Sequence, residues 1–171
     1  MTVWYTASSA IEMLMNAGEE FYSRSDVGSL RQVCTVGGPI AKEADAWGSR
    51  AFGTPIRNTW WQTETGAILI AHPPGSDAPP GSMGRATPGV EVAILDDDYR
   101  VIEPPGVAPG TEGLLAIRPG WPAMFRGYWE DTESYNARFR KGWYITGDRA
   151  RSDERGYLFF TGRASDERDL G

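Results

Sequence analysis

The residue types best suited to chemistry gather in one run, Asn58-Thr59-Trp60-Trp61-Gln62-Thr63-Glu64-Thr65-Gly66. It follows Pro55-Ile56 and reads as a strand end opening into a polar loop closed by glycine. Adjacent indoles on an extended strand point to opposite faces, so one ring can line a pocket while the other lies under a neighbouring layer. Hydroxyls and backbone N–H groups in such a loop suit phosphate oxygens. Glu64 offers the hard oxygen ligand that Mg²⁺ takes, and Gly66 permits a sharp turn or a close backbone approach. On residue types alone, the commoner reading of such a run is a Trp-anchored strand end with a solvated turn.

The elements that must position this loop alternate. Residues 3–6 form a short β-branched and aromatic run, a buried strand. Ser8 or Ser9 can cap a helix with Ile11, Leu14, Met15 and Gly18 at the 3–4 spacing. A strand over 30–36 closes on Gly37-Gly38-Pro39, a helix over 41–52 carries Ala44, Trp47 and Phe52 inward, and Gly53 stops it. The third strand covers 56–61. This order predicts a parallel βαβαβ unit, in which ligands sit at the carboxyl ends of strands. Gly37-Gly38-Pro39 and the loop after Asn58 both lie at such ends, and a Gly-Gly-Pro turn lets a flat ligand approach the backbone.

After Ile70 the composition changes. Residues 71–80 are rich in Pro, Gly and Ser, as in a linker. Beyond them, short apolar runs at 90–95, 114–118, 144–146 and 157–161 alternate with turn signals. One short helix over 131–139, started by Asp131 or Thr132, interrupts them, and Asp153-Glu154-Arg155-Gly156 reads as a hairpin turn. This half is expected to be mainly antiparallel β, folded as a small distorted barrel or sandwich.

Composition narrows the function. The chain has 171 residues and a formal net charge of −6, with no Lys/Arg cluster. That balance argues against nucleic acid or an anionic membrane surface as partner. No apolar stretch approaches the ~20 residues of a membrane span, and the first residues lack a basic-then-apolar signal. The single cysteine, Cys34, permits no internal disulfide and fits a reducing compartment, so a cytoplasmic location is expected. With His72 the sole histidine, a His-based metal site or a Ser-His triad is disfavoured.

Trp61-Gln62-Thr63-Glu64-Thr65-Gly66 with its preceding Trp60 resembles the adenylate-binding loop of the AMP-forming short-chain acyl-CoA synthetases, the acetate-activating members in particular. Val3-Trp4-Tyr5-Thr6-Ala7, Val36-Gly37-Gly38-Pro39, Gly81-Ser82-Met83-Gly84-Arg85, Arg118-Pro119-Gly120-Trp121-Pro122, Phe125-Arg126-Gly127-Tyr128 and Gly142-Trp143-Tyr144-Ile145-Thr146-Gly147-Asp148 fall in that family's order and approximate spacing. The resemblance implies a ligase that joins acetate and ATP into an acetyl-adenylate with release of pyrophosphate. CoA then displaces AMP. ATP, CoA and Mg²⁺ are the implied cofactors.

By that resemblance Gly37, Gly38 and Pro39 would contact adenine, as would Asn58, Thr59 and Trp60. Many family members carry Glu where this chain has Gly38, and often Asp where it has Asn58. Gln62 and Thr63 would approach the α-phosphate, Asp148 the ribose hydroxyls, and Arg163 the ribose or phosphate. Val36 and Trp61 would wall the acyl pocket, the indole leaving room for acetate or propionate. Trp121, Phe125 and Tyr128 would pack rather than bind.

The resemblance further implies three parts: residues 1–75 as the end of an α/β adenylate-forming subdomain, 76–165 as a β-rich subdomain, and 166–171 as a cut hinge, with Ser165 where the family has Asp or Lys. The family's phosphate loop and its C-terminal domain, which bears the adenylation lysine, have no counterpart among these residues. The chain is therefore expected to behave as a fragment, inactive alone. The alternative is a non-catalytic nucleotide-binding or interaction module that completes a split synthetase.

Overall fold

The computed structural model describes residues 1–38, 40–41, 43–73, 75–103 and 110–165. Pro39 and the expected hinge at 166–171 lie outside the described residues.

The first half follows the alternation. Strand β1 (Val3–Ala7) leads into α1 (Ser8–Ala17) and α2 (Glu19–Tyr22), then β2 (Gln32–Val36), α3 (Glu43–Phe52) and β3 (Ile56–Trp60). β2 pairs in parallel with both β1 and β3, so the βαβαβ unit is present. Helices α1 and α3 bury Ile11, Ala44, Trp47 and Phe52 against Val33 and Ile56. Trp47 meets Phe52 edge-on with ring centroids 5.1 Å apart, and Trp4 meets Phe52 at 5.7 Å, the perpendicular arrangement that aromatic quadrupoles favour. Neither candidate serine caps α1. The helix begins at Ser8, preceded by Ala7, and has no side-chain cap. Ser8 is buried, placed there by the tight exit from β1.

Three parallel strands alone would leave a narrow sheet. Two short strands on either side of the stretch read as a linker supply the remedy: β4 (Ile70–Ala71) pairs antiparallel with β3, and β5 (Arg85–Ala86) pairs with β4, giving a mixed sheet ordered β1-β2-β3-β4-β5. Two-residue strands carry no readable period, so residue patterning marked neither of them. His72, just past β4, is half-buried, and burial lowers its pKa. Its Nε2 lies 2.9 Å from the Ser82 carbonyl and 3.1 Å from the Ser82 hydroxyl. Ser82 is fully buried, so the pair pins the connection rather than facing a substrate.

The second half is a curled antiparallel half-barrel. It contains β6 (Val92–Leu95), β7 (Val101–Glu103), β8 (Glu112–Ile117), α4 (Thr132–Ala137), β9 (Phe139–Arg140), β10 (Trp143–Ser152) and β11 (Leu158–Arg163). The sheet is ordered β11-β10-β8-β6-β7, with β9 on β10. Asp131 caps α4, its carboxylate accepting from Ser134 N at 2.9 Å. β10 is far longer than the expected 144–146 strand. Polar residues at Thr146, Asp148 and Ser152 disguise it, yet all are buried on one face with Tyr144 and Ala150. Among the described residues no helix is long and apolar enough to cross a membrane.

The two sheets meet in one core. Trp60 and Ile70 of the first pack with Val92, Leu115, Tyr144 and Leu158 of the second. Main-chain bonds reinforce the seam: Met83 N donates to Leu158 O at 2.7 Å, and Leu158 N donates to Gly84 O at 2.8 Å. Gly84 has φ +108°, and a Cβ there would lie 2.1 Å from the Ala71 main chain. Only glycine fits. Gly84→Ala is expected to cost about 2–4 kcal/mol, read as a lower urea midpoint with unchanged slope; an unchanged midpoint would mean that the seam relaxes freely.

Candidate functional site

The polar loop after β3 is held by its own hydroxyl. Thr65, fully buried, accepts from Gln62 N at 3.0 Å, and its Oγ1 lies 2.8 Å from Gln62 O and 2.9 Å from Ala67 O. Gly66, at φ +60°, lets Ala123 O approach to where a Cβ would stand 2.3 Å away. The 121–128 segment braces the loop from outside. Trp121 Nε1 donates to Thr65 O at 2.7 Å, Phe125 N donates to Glu64 O at 2.9 Å, and the Tyr128 hydroxyl donates to Glu64 Oε1 at 2.7 Å. The aromatic-basic stretch thus packs and braces.

The tryptophans diverge as alternation requires. Trp60 is buried and donates its Nε1–H to Asp148 Oδ2 at 2.8 Å. Trp61 is 37% exposed and donates to the Tyr5 hydroxyl at 2.8 Å. Gln62 reaches back to β10, where Nε2 meets Thr146 O at 2.9 Å and Asp148 Oδ2 at 3.3 Å, while Oε1 accepts from the Tyr144 hydroxyl at 2.9 Å. These bonds fix the amide's orientation: its oxygen faces a phenol donor and its nitrogen faces acceptors.

Asp148 is 3% exposed. Its other oxygen, Oδ1, forms an ion pair with Arg163 Nη1 at 2.6 Å. Register explains the pairing, since Asp148 and Arg163 are direct partners on β10 and β11. Burial pushes the Asp148 carboxyl above its usual range, with Trp60 and Arg163 pulling it back. Burial likewise raises the Tyr144 phenol, which stays protonated as a donor.

These groups surround a cavity of about 270 Å³. Val36, Gly37 and Gly38 line one side, Asn58, Thr59, Trp60, Trp61 and Gln62 a second, and Asp148 and Arg163 a third, with Met83 and Phe160 completing the wall. It lies at the carboxyl ends of β2 and β3, where open α/β sheets bind ligands, and its volume approaches the ~300 Å³ lower bound of small-molecule sites. Thr63 and Glu64 stand apart from it, on an adjoining open groove of about 1430 Å³ that shares Val36, Gly37, Trp61, Gln62 and Arg163. Among the described residues no group of three or more His, Cys, Asp or Glu gathers as a metal site. Glu64 still fits Mg²⁺ as a single carboxylate, because this ion takes one or two carboxylates with water and phosphate oxygens.

Residue-type reasoning passed over Tyr5, Tyr144 and Thr146. Period-two alternation through Asp148 carries the signal for the last two, which share its face. Tyr5 has no comparable marker, because its partner Thr59 lies 54 residues away.

The crystal structure of the anthranilate CoA ligase AuaEII in complex with anthranoyl-AMP matches with a TM-score of 0.84 and 28% identity, over 96% of this chain and 30% of that one. The fold is that of the adenylate-forming ligases. The AMP-binding enzyme family matches residues 1–129. The acetyl-coenzyme A synthetase of Bacillus subtilis (strain 168) is 44% identical over 167 residues, 97% of this chain and 28% of that protein. That of Sinorhizobium fredii is 43% identical over 173 residues, 97% of this chain and 26% of that protein. The chain belongs to the AMP-binding enzyme family, and it spans about a quarter of the length of these curated relatives.

A raised carboxyl means that the folded chain holds its proton more tightly than the unfolded one. Asp148 therefore favours the fold most below about pH 4 and progressively less as pH rises through its raised value. Asp148→Asn is expected to match or exceed the parent's thermal midpoint at pH 7 and to gain on it from acid upward. A midpoint lower by about 4 °C or more at pH 7 would contradict burial as the dominant influence.

Proposed function

We infer that this chain forms the adenosine and acyl sides of an acetate-activating adenylation site. The observation that carries this is the convergence on one cavity of the Gly37-Gly38 backbone, the buried Asp148 carboxylate and the Trp61 indole. A glycine backbone admits a planar base. A carboxylate accepts from two hydroxyls at once, as a ribose diol requires. Arg163, beside it, brings positive charge to the phosphate end.

In the whole enzyme, the acetate carboxylate would attack the α-phosphorus of ATP and expel pyrophosphate. The CoA thiolate would then attack the acyl carbon and release AMP. This chain's share is positioning: Gln62, locked by Tyr144 and Thr146, holds Asp148 toward the cavity, while Val36 and Trp61 bound the acyl end. Glu64, on the groove beside Thr63, would hold Mg²⁺ against the departing phosphates. The cationic lysine and hydroxyl-rich phosphate loop of the chemistry would come from the parts of the relatives outside the quarter that this chain matches. A module that only binds nucleotide rests on the same cavity.

Two measurements test the reading. The purified chain is expected to bind AMP one-to-one by isothermal titration, with Asp148→Asn weakening it about tenfold or more, and to release no pyrophosphate from acetate and ATP. Equal AMP affinity in parent and variant would remove Asp148 from the site. For the acyl wall, Trp61→Ala is expected to raise affinity for adenosine 5′-pentylphosphate relative to adenosine 5′-ethylphosphate about tenfold or more. An unmoved ratio would place the acyl group elsewhere.

A further inference from the structure

Trp61 is 37% exposed, whereas its neighbour Trp60 in the same cavity wall is buried. An indole used as a steric stop must resist being pushed aside. Packing alone does not hold this one, since it leaves β3 and faces both the cavity and the open groove.

The hydrogen bonds around it admit one order of donors. The indole Nε1–H can only donate, so the Tyr5 oxygen accepts from it at 2.8 Å. The Thr35 carbonyl can only accept, so the Thr59 hydroxyl spends its proton there at 2.8 Å. The remaining contact, Tyr5 oxygen to Thr59 Oγ1 at 2.9 Å, must then run from the tyrosine proton to the threonine oxygen. The relay is Trp61 to Tyr5 to Thr59 to the main chain of β2. Every proton in it is assigned. It ties a side chain beyond the end of β3 to all three parallel strands, with Tyr5 contributed by β1 and Thr35 by β2.

We propose that Tyr5 is a positioning residue that sets acyl-chain selectivity, its hydroxyl holding the Trp61 indole across the acyl end of the cavity. This rests on the adenylation-site reading and extends it to a residue outside the cavity lining. Without the hydroxyl, the indole keeps its hydrophobic faces but loses its anchor, and it can swing toward the groove when a longer chain enters. Tyr5 therefore acts on discrimination among acyl lengths. It touches neither nucleotide nor acyl group.

The test is Tyr5→Phe, which keeps the ring and deletes one oxygen. In the ligand-free chain labelled with ¹⁵N at the indoles, the Trp61 Nε1–H signal, assigned by its loss in Trp61→Phe, is expected to shift and to exchange faster with water. With adenosine 5′-ethylphosphate and adenosine 5′-pentylphosphate as probes, the preference for the short chain is expected to fall about tenfold, toward that of Trp61→Ala. Thr59→Val, which removes the acceptor of the Tyr5 proton, is expected to move the preference in the same direction. A chain-length preference in Tyr5→Phe equal to the parent's overturns the inference while leaving the adenylation reading intact. Unfolding of Tyr5→Phe also overturns it, by assigning the hydroxyl to stability. Failure of the parent to bind either probe overturns the underlying reading and this inference with it.

Discussion

The structure depends on one buried hydrogen bond, from Trp60 Nε1 to Asp148 Oδ2, which joins residues 88 apart in sequence. Trp60 ends the last parallel strand of the first sheet, and Asp148 sits midway along the longest strand of the second. The bond therefore fixes how the two sheets face each other at the place where the cavity opens. A hydrogen bond of this kind contributes about 0.5–1.5 kcal/mol net, and an indole N–H can donate to a neutral oxygen as well as to a carboxylate. The stronger constraint is the cost of breaking it, because a buried carboxylate without donors is heavily penalised. Gln62 bonds to the same oxygen and Arg163 pairs with the other, so a reorientation of the sheets would break several contacts together.

That constraint explains how polar chemistry persists in a seam otherwise lined by Leu, Ile and aromatic side chains. Tyr144, with no exposed surface, presents its hydroxyl to Gln62 Oε1 and so holds the amide with both donors toward β10. Thr65 satisfies the turn's own backbone, and the indole of Trp121 takes up its carbonyl. The Gly37-Gly38 backbone, Asp148 and both indoles are among the groups that line the cavity beside this braced loop. Burial raises the Asp148 carboxyl, while the Trp60 indole and the Arg163 guanidinium favour its charged form.

Much of this was legible in the residues. The 3–4 spacing of Ala44 and Trp47 with Phe52 beyond, and the glycine stop at Gly53, marked α3. Alternation through Trp60 and Trp61 gave their opposite faces, and the composition of the later half gave antiparallel pairing. Other features were hidden for physical reasons. β4 and β5 are too short for any period, and they exist because the edge of β3 needs covering. β10 concealed most of its length, because its inward positions include Thr146, Asp148 and Ser152, which read as solvated when their partners across the seam are unknown. Ser8 suggested a cap, yet the tight β1–α1 junction buried it. Tyr5 could be found only with coordinates, since its role arises from contacts to Thr59 and Trp61 more than fifty residues away.

The central claim is that the cavity of about 270 Å³ between the sheets is shaped for a mononucleotide. A crystal structure of the chain grown with AMP tests it most directly. The account predicts nucleotide density in that cavity, the base against the Gly37-Gly38 backbone and the ribose hydroxyls within hydrogen-bond distance of Asp148. AMP bound on another surface, with Asp148 still closed over by Trp60 and Arg163, would contradict it.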